Sequence, residues 1–270
     1  MYPLTENFLM NPQLDEVRWQ PAGRPLAADI SLARALAFLA AGEHAGVPIG
    51  GTIYGVLHND PKAMAALGER IDQPPYKAPP KAPVLYVKPR NTQMGHGAPI
   101  QVPTDAPALL MGGALGAVIG RTTCRIREED ALAMVAGYTV VNDVTVPHNS
   151  FYRPSIRHRV RDSFCPVGPW VCPAARVPDP DALSVRTWID GVLVLDGSTN
   201  GFVRPLARLI AEISDFMTLQ PGDLLITGVP FGAFGAPLAR AGQRVAIDIE
   251  GVGRLENPLI TEETLKGVSA

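Results

Sequence analysis

The chain has 270 residues, 46% hydrophobic and 19% charged, which supplies a sizeable core and carries no compositional sign of global disorder. Its 24 basic and 26 acidic side chains leave a formal charge of −2, excluding a broad electrostatic attraction to nucleic acid or anionic membrane. Gly (26) and Pro (27) are abundant and aromatics reach only 6%, a punctuation that favours short strands and turns over a helix bundle.

In chain order, residues 1–49 read as an N-terminal extension and 50–270 as the main domain. Pro3, Pro12, Pro21 and Pro25 break the first stretch into extended pieces. The Ala/Leu-rich run after them predicts one helix, with Asp29 or Ser31 as N-cap and Gly42 as the stop. Its apolar core, Ala35 to Ala41, is far short of the roughly 20 residues that span a bilayer. Asp15, Glu16 and Asp29 precede it where a secretory leader would be basic. A cytoplasmic protein with no membrane or nucleic-acid partner is therefore expected.

Thr52 to Leu57 predicts a strand and Pro61 to Arg70 a helical piece. Gln73 to Pro83 is rich in proline, which removes ladder donors, and predicts an ordered loop. Val84 to Val87 and Leu115 to Ile119 predict short buried strands. Glu128 to Val135 predicts a helix whose three leading acids suit its N-terminus. Tyr138 to Val141 is a β-rich run into Asn142-Asp143. Asp190-Gly191 marks a hairpin within Val185 to Leu195. Leu206, Leu209, Ile210, Ile213, Phe216 and Met217 form one helical stripe, and Pro221-Gly222-Asp223 turns into a strand from Leu224 to Thr227. Val245, Ile247 and Ile249 alternate with Arg244, Asp248 and Glu250, a half-exposed strand. The sum is an α+β body, predominantly β, without internal repeats.

Several site types are absent from the sequence: there is no HExxH, no GxSxG and no GxxxxGK[ST]. Gly112 to Gly120 is glycine-rich but lacks the spacing of a phosphate cradle and reads as strand in its second half. Cys124, Cys165 and Cys172 lack CxxC spacing and read as buried, reduced thiols. Asn142 to Gly168 is the informative region. Asp143 closes an apolar strand, where a carboxylate is held at a cavity rim. His148 lies in a polar loop, Tyr152 and Arg153 follow, and Arg157, Arg159 and Arg161 recur at period two. If extended, those three guanidinium groups share a face and repel unless anions sit among them. A substrate bearing several carboxylates would satisfy them, and so would acids of a neighbouring strand or subunit. Lys88 ends an apolar strand, its ammonium either directed at a pocket or snorkelling for structural reasons. His96, between Gly95 and Gly97, reads as a close ligand contact or, more commonly, a turn histidine, and His44 and His58 show no partner in sequence.

These residues resemble the fumarylacetoacetate hydrolase superfamily over roughly Gly50 to Glu262. The carriers are Gly51-Thr52-Ile53-Tyr54, Tyr86-Val87-Lys88-Pro89-Arg90-Asn91-Thr92, Val118-Ile119-Gly120, Ala136 to Val144, Pro166-Val167-Gly168-Pro169 and Leu219-Gln220-Pro221-Gly222-Asp223. Within it, Pro75 to Lys81, Arg127 to Ala131 and Ser150-Phe151-Tyr152-Arg153-Pro154 look most like one branch. That branch comprises the N-terminal (decarboxylase) halves or subunits of the isomerase/decarboxylases of homoprotocatechuate (4-hydroxyphenylacetate) degradation. The resemblance implies a mixed β-roll with small flanking helices, paired with a second copy or with a homologous isomerase subunit. It implies decarboxylation of an unsaturated keto-polycarboxylate of the 5-oxopent-3-ene-1,2,5-tricarboxylate type. The alternatives are a degenerate scaffold for a metal-binding isomerase homologue, or a C–C bond hydrolase or cyclase on the same fold.

Metal-dependent members of the family hold Mg²⁺ or Mn²⁺ through a Glu-x-Glu pair and an Asp. Here those glutamate positions are Gly112 and Ala114, and only Asp143 remains, so no cofactor is expected. The branch itself resembles this chain in lacking the pair. Ala63 stands where the family's lid carries His, Arg159 replaces a family lysine, and Val229 replaces a family threonine. The resemblance thus assigns Lys88, Asp143 and Arg159 to catalysis, and His148, Tyr152, Arg153 and Arg157 to substrate binding. Arg159, with Lys88 assisting, takes the role of the metal in stabilising an enolate.

Overall fold

The computed structural model describes residues 16–19, 28–41, 45–74, 78–148, 155–230, 235 and 237–266. In chain order the strands are β1 Glu16–Trp19, β2 Ala28–Ser31, β3 Ile53–Leu57, β4 Val84–Lys88, β5 Gln93–Met94, β6 Ile100–Val102, β7 Leu109–Leu110, β8 Gly113–Ile119, β9 Val135–Asn142, β10 Cys165–Pro173, β11 Ser184–Ile189, β12 Val192–Ser198, β13 Leu224–Ile226, β14 Leu238–Ala239, β15 Arg244–Ile249 and β16 Gly253–Thr261. The helices are α1 Leu32–Ala40, α2 Pro61–Leu67, α3 Glu128–Ala131, α4 Ile156–Arg159, α5 Leu206–Phe216 and α6 Glu262–Lys266. Sheet dominates, as the residue pattern predicts.

The main sheet runs β2-β1-β10-β9-β8-β13-β3-β4, with β5 added beside β10. A second sheet, β12-β11-β15-β16-β6, lies against β8, β9 and β10, and β7 pairs with β14. The largest core cluster fills the space between: Leu115, Ala117, Val140 and Trp170 meet Val185, Ile247, Ile249 and Leu255, with the α5 stripe joining them. Residues ahead of position 50 share in the main sheet, because Arg18 of β1 pairs with Val171 of β10.

The glycine-rich run is a buried strand, and packing explains its composition. A Cβ on Gly113 would lie 3.0 Å from Ile247 and Thr187, and one on Gly116 2.8 Å from Leu224 and Val141. Every residue of β8 is buried; Gly113 lets the second sheet approach, and Gly116 makes room for side chains of the flanking strands β13 and β9. The hairpin forms at Asp190 and Gly191, whose φ values of 49° and 80° are those of the tight turn that Asp-Gly favours. Ser31 caps α1 by accepting from the Arg34 N–H, and Asp60 caps α2 by accepting from Lys62 and Ala63.

Three elements depart from the residue pattern. The helix expected over Glu128 to Val135 stops at Ala131, and Val135 opens β9 instead. Cys165–Pro173 is a nine-residue strand although it contains Pro166, Pro169 and Pro173. It is tolerated because its ladder to β9 shifts register between Gly168 and Cys172, so some donors are never required. In α5, Leu206, Leu209, Ile210 and Ile213 are buried as the stripe requires, but Phe216 is 64% exposed at the helix end. Leu209 is fully enclosed, so Leu209→Ala is expected to lower stability by about 2–5 kcal/mol, seen as a shifted urea midpoint at constant slope.

Candidate active site

Tyr86, Lys88, Asp143 and Arg159 converge where β4, the end of β9 and α4 meet. Alternation along β4 places Tyr86 and Lys88 on one buried face while Val87 is exposed on the other. Asp143 follows β9 and is anchored by backbone: its N–H donates to the Gly112 carbonyl at 2.8 Å. The Asn142 side chain accepts from the Gly112 N–H at 3.0 Å, so β8 fixes the carboxylate from behind.

The carboxylate is 3% exposed and surrounded by donors. Its Oδ1 lies 2.7 Å from the Lys88 ammonium. Its Oδ2 accepts from Tyr86 Oη at 2.5 Å and from Arg159 at 2.7 Å. Lys88 also donates to the carbonyls of Val144, Arg159 and Phe164 at 3.0, 2.8 and 2.9 Å. An ammonium has three N–H groups, so none is left for a substrate. The expectation that Lys88 reaches into a pocket is corrected here: its side chain is fully buried and committed to Asp143 and the backbone.

Arg159 is different. It makes one hydrogen bond among the described residues, to Asp143, from the five donors of its guanidinium, and its side chain retains 11% exposure. The guanidinium carbon sits 5.0 Å from the centroid of the Tyr86 ring. One carboxylate between two cations leaves an excess positive charge in a low-dielectric site, a costly state that an incoming anion relieves. Burial alone would raise the Asp143 pKa, but Lys88 and then Arg159 outweigh it and hold the carboxyl below its ordinary range. Burial, followed by the charge of Asp143, pushes the Tyr86 phenol well above its own, so Tyr86 is the donor in their bond. Cys165 is no nucleophile, since burial raises its thiol to about 12.

The shared arginine face does not form. Ser155 and Ile156 carbonyls accept from His158, Arg159 and Val160, closing the α4 turn, and successive residues rotate by about 100°. Arg159 turns to Asp143, Arg161 forms a two-pronged pair with Asp105 at 2.6 and 2.9 Å, and Arg157 is exposed. His148 stacks on His158, ring centroids 4.7 Å apart. Tyr152 and Arg153 lie outside the described residues. Tyr86 is the residue that site reasoning missed, although it shares the period-two face of Lys88.

A family model, "Fumarylacetoacetate (FAA) hydrolase C-terminal", matches residues 52–260. The chain belongs to the fumarylacetoacetate hydrolase family. It is 39% identical over 212 residues to the 4-hydroxyphenylacetate degradation bifunctional isomerase/decarboxylase of Escherichia coli, covering 78% of this chain and 48% of that one. It thus spans about half the length of the curated relatives it matches. Among solved structures, it is similar to the 2-hydroxyhepta-2,4-diene-1,7-dioate isomerase of Mycobacterium marinum, with TM-score 0.66, 28% identity and coverage of 89% and 82% of the two chains. Another is the maleylpyruvate hydrolase of Sphingobium sp. SYK-6, solved with manganese(II) and pyruvate, with TM-score 0.65, 26% identity and coverage of 87% and 77%. The mixed β-roll read from the family resemblance is the fold these relatives share.

The residues of this family member do not fit the manganese(II) ion of the Sphingobium maleylpyruvate hydrolase. A Cβ on Gly112 would lie 2.6 Å from the Asp143 carbonyl oxygen and 3.1 Å from Val229, so a longer side chain has no room. Ala114 is buried and apolar. Among the described residues no three His, Cys, Asp or Glu side chains come together as a ligand set. Asp143, the one retained carboxylate, has both oxygens facing cations, which repel a dication. Ala63 is buried on α2 and offers no acid or base.

Proposed function

We propose that the chain is a carboxy-lyase acting on an unsaturated keto-polycarboxylate of the 5-oxopent-3-ene-1,2,5-tricarboxylate type, in aromatic catabolism, with protein cations supplying the electrostatic work. The observation that carries the reading is the excess positive charge around Asp143, with Arg159 left largely uncommitted. Its similarity to bifunctional isomerase/decarboxylases of 4-hydroxyphenylacetate and homoprotocatechuate catabolism supports the reaction class.

In the step proposed, the bond to a substrate carboxylate breaks and CO₂ leaves. Its electron pair spreads into the conjugated keto group, and a proton from water later replaces CO₂ on carbon. The developing oxyanion is held by Arg159, preorganised in a site from which water is largely excluded. Asp143 and Lys88 act through Arg159, fixing its position and charge. Arg157 is exposed at the α4 turn and is assigned to a distal substrate carboxylate. Arg153, Tyr152 and His148 are assigned to the same task on the family resemblance.

The test is turnover of the tricarboxylate by the purified chain after EDTA treatment. Turnover is expected to change less than about twofold when Mg²⁺ or Mn²⁺ is restored, because the charge being supplied belongs to the protein. A rate that rises a hundredfold with Mn²⁺ would overturn the metal-free part of the reading. The closed Gly112 position favours a second reading, a scaffold paired with a metal-binding isomerase homologue. No turnover alone, with turnover on mixing with such a partner, selects it.

A further inference from the structure

We propose that Tyr86 is a positioning residue of this site, orienting Arg159 so that the unspent N–H groups of its guanidinium meet an anionic ligand. The inference rests on the decarboxylase reading only for its kinetic arm. Three contacts carry it. Tyr86 Oη donates to Asp143 Oδ2 at 2.5 Å, Arg159 donates to that same oxygen at 2.7 Å, and the guanidinium lies over the Tyr86 ring. Tyr86 therefore touches Arg159 twice, through a shared acceptor and through its ring.

Each contact has a physical consequence. The phenol takes up part of the charge on Oδ2, so the carboxylate neutralises less of Arg159. The ring gives a flat cation a flat surface and limits the rotamers of a long side chain. Without both, Arg159 can sink onto Asp143 as an ordinary ion pair and offer less to a ligand.

The chain has made room for this ring. Gly55 of β3 stands directly opposite Tyr86 of β4, and an added Cβ there would fall inside the space of the ring. A glycine beneath an aromatic cross-strand neighbour is also a packing device. Packing, however, would be served equally by phenylalanine, and it gives no reason for a hydroxyl aimed at a buried carboxylate. That hydroxyl is what separates a positioning role from a structural one. The ligand class is an anion with planar carboxylate or enolate groups, matching the guanidinium fork.

Two variants of the full chain test this. Tyr86→Phe keeps the ring in its seat and removes Oη, whereas Gly55→Ala keeps the hydroxyl and displaces the ring. The readouts are kcat and KM on the unsaturated tricarboxylate, and the calorimetric Kd of propane-1,2,3-tricarboxylate, an unreactive probe. Tyr86→Phe is expected to weaken the probe and to lower kcat, each by about 10-fold or more, with KM moving less than kcat. Gly55→Ala is expected to do the same. Wild-type kcat and probe Kd in both variants would overturn the proposal, as would loss of the fold in both, which would make Tyr86 structural. If the native chain turns nothing over but binds the probe in a Tyr86-dependent way, the decarboxylase reading fails and the role of Tyr86 stands. A native chain that neither reacts with nor binds these tricarboxylates removes both.

Discussion

Asp143→Asn is expected to destabilise the protein by about 3–5 kcal/mol, the cost of leaving buried charge uncompensated. The carboxylate is the acidic partner shown for Lys88, whose side chain is wholly enclosed, and for Arg159. An amide keeps the shape but removes the negative charge, so two cations would face each other in a low-dielectric site. Urea unfolding of the variant reads the loss directly. The companion double variant Lys88→Met/Asp143→Asn is expected to recover a large part of it, because the repulsion then disappears with the charge. A single variant that melts with the native protein would mean that water already screens Asp143, and the site would not be the buried positive cluster described here.

Arg159→Gln is expected to lower kcat by about 10²–10³, the range for removing one preorganised donor from an oxyanion site. Stability should fall much less than in Asp143→Asn, since Asp143 keeps Lys88 and Tyr86 as partners. The two variants therefore separate activity from folding: in the proposed reaction Arg159 supplies the charge that acts on the substrate, while Asp143 holds the site together. An Arg159→Gln chain with native kcat and a collapsed melting temperature would make Arg159 a structural counter-ion.

Much of the scaffold could be read along the chain because its signals are local. The apolar stripe of α5, the Asp190-Gly191 turn and the Ser31 cap each depend on residues within a few positions of one another. The three prolines of β10 argue against a strand; Pro169 falls where the ladder to β9 shifts register, whereas Pro166 pairs with Met94 of β5 and Pro173 with Gly137 of β9. The period-two arginines misled for the converse reason. The pattern 157, 159, 161 fits an extended segment, but carbonyls of Ser155 and Ile156 close a helical turn and send the guanidinium groups apart.

The sequence by itself determined the family, the β-dominated body and the identity of the charged residues, with Gly112 and Ala114 standing where the resemblance implies glutamates. These are matters of residue type and short-range spacing, and the family match over 52–260 agrees with them. Only the tertiary structure decided how the charges are spent. Tyr86 and Asp143 lie 57 positions apart and Lys88 lies 71 from Arg159, so no local rule brings them together. Sheet register and the α4 turn do, and in a medium that screens little, a difference of a few ångströms commits Lys88 to the protein while leaving most of Arg159 for a ligand.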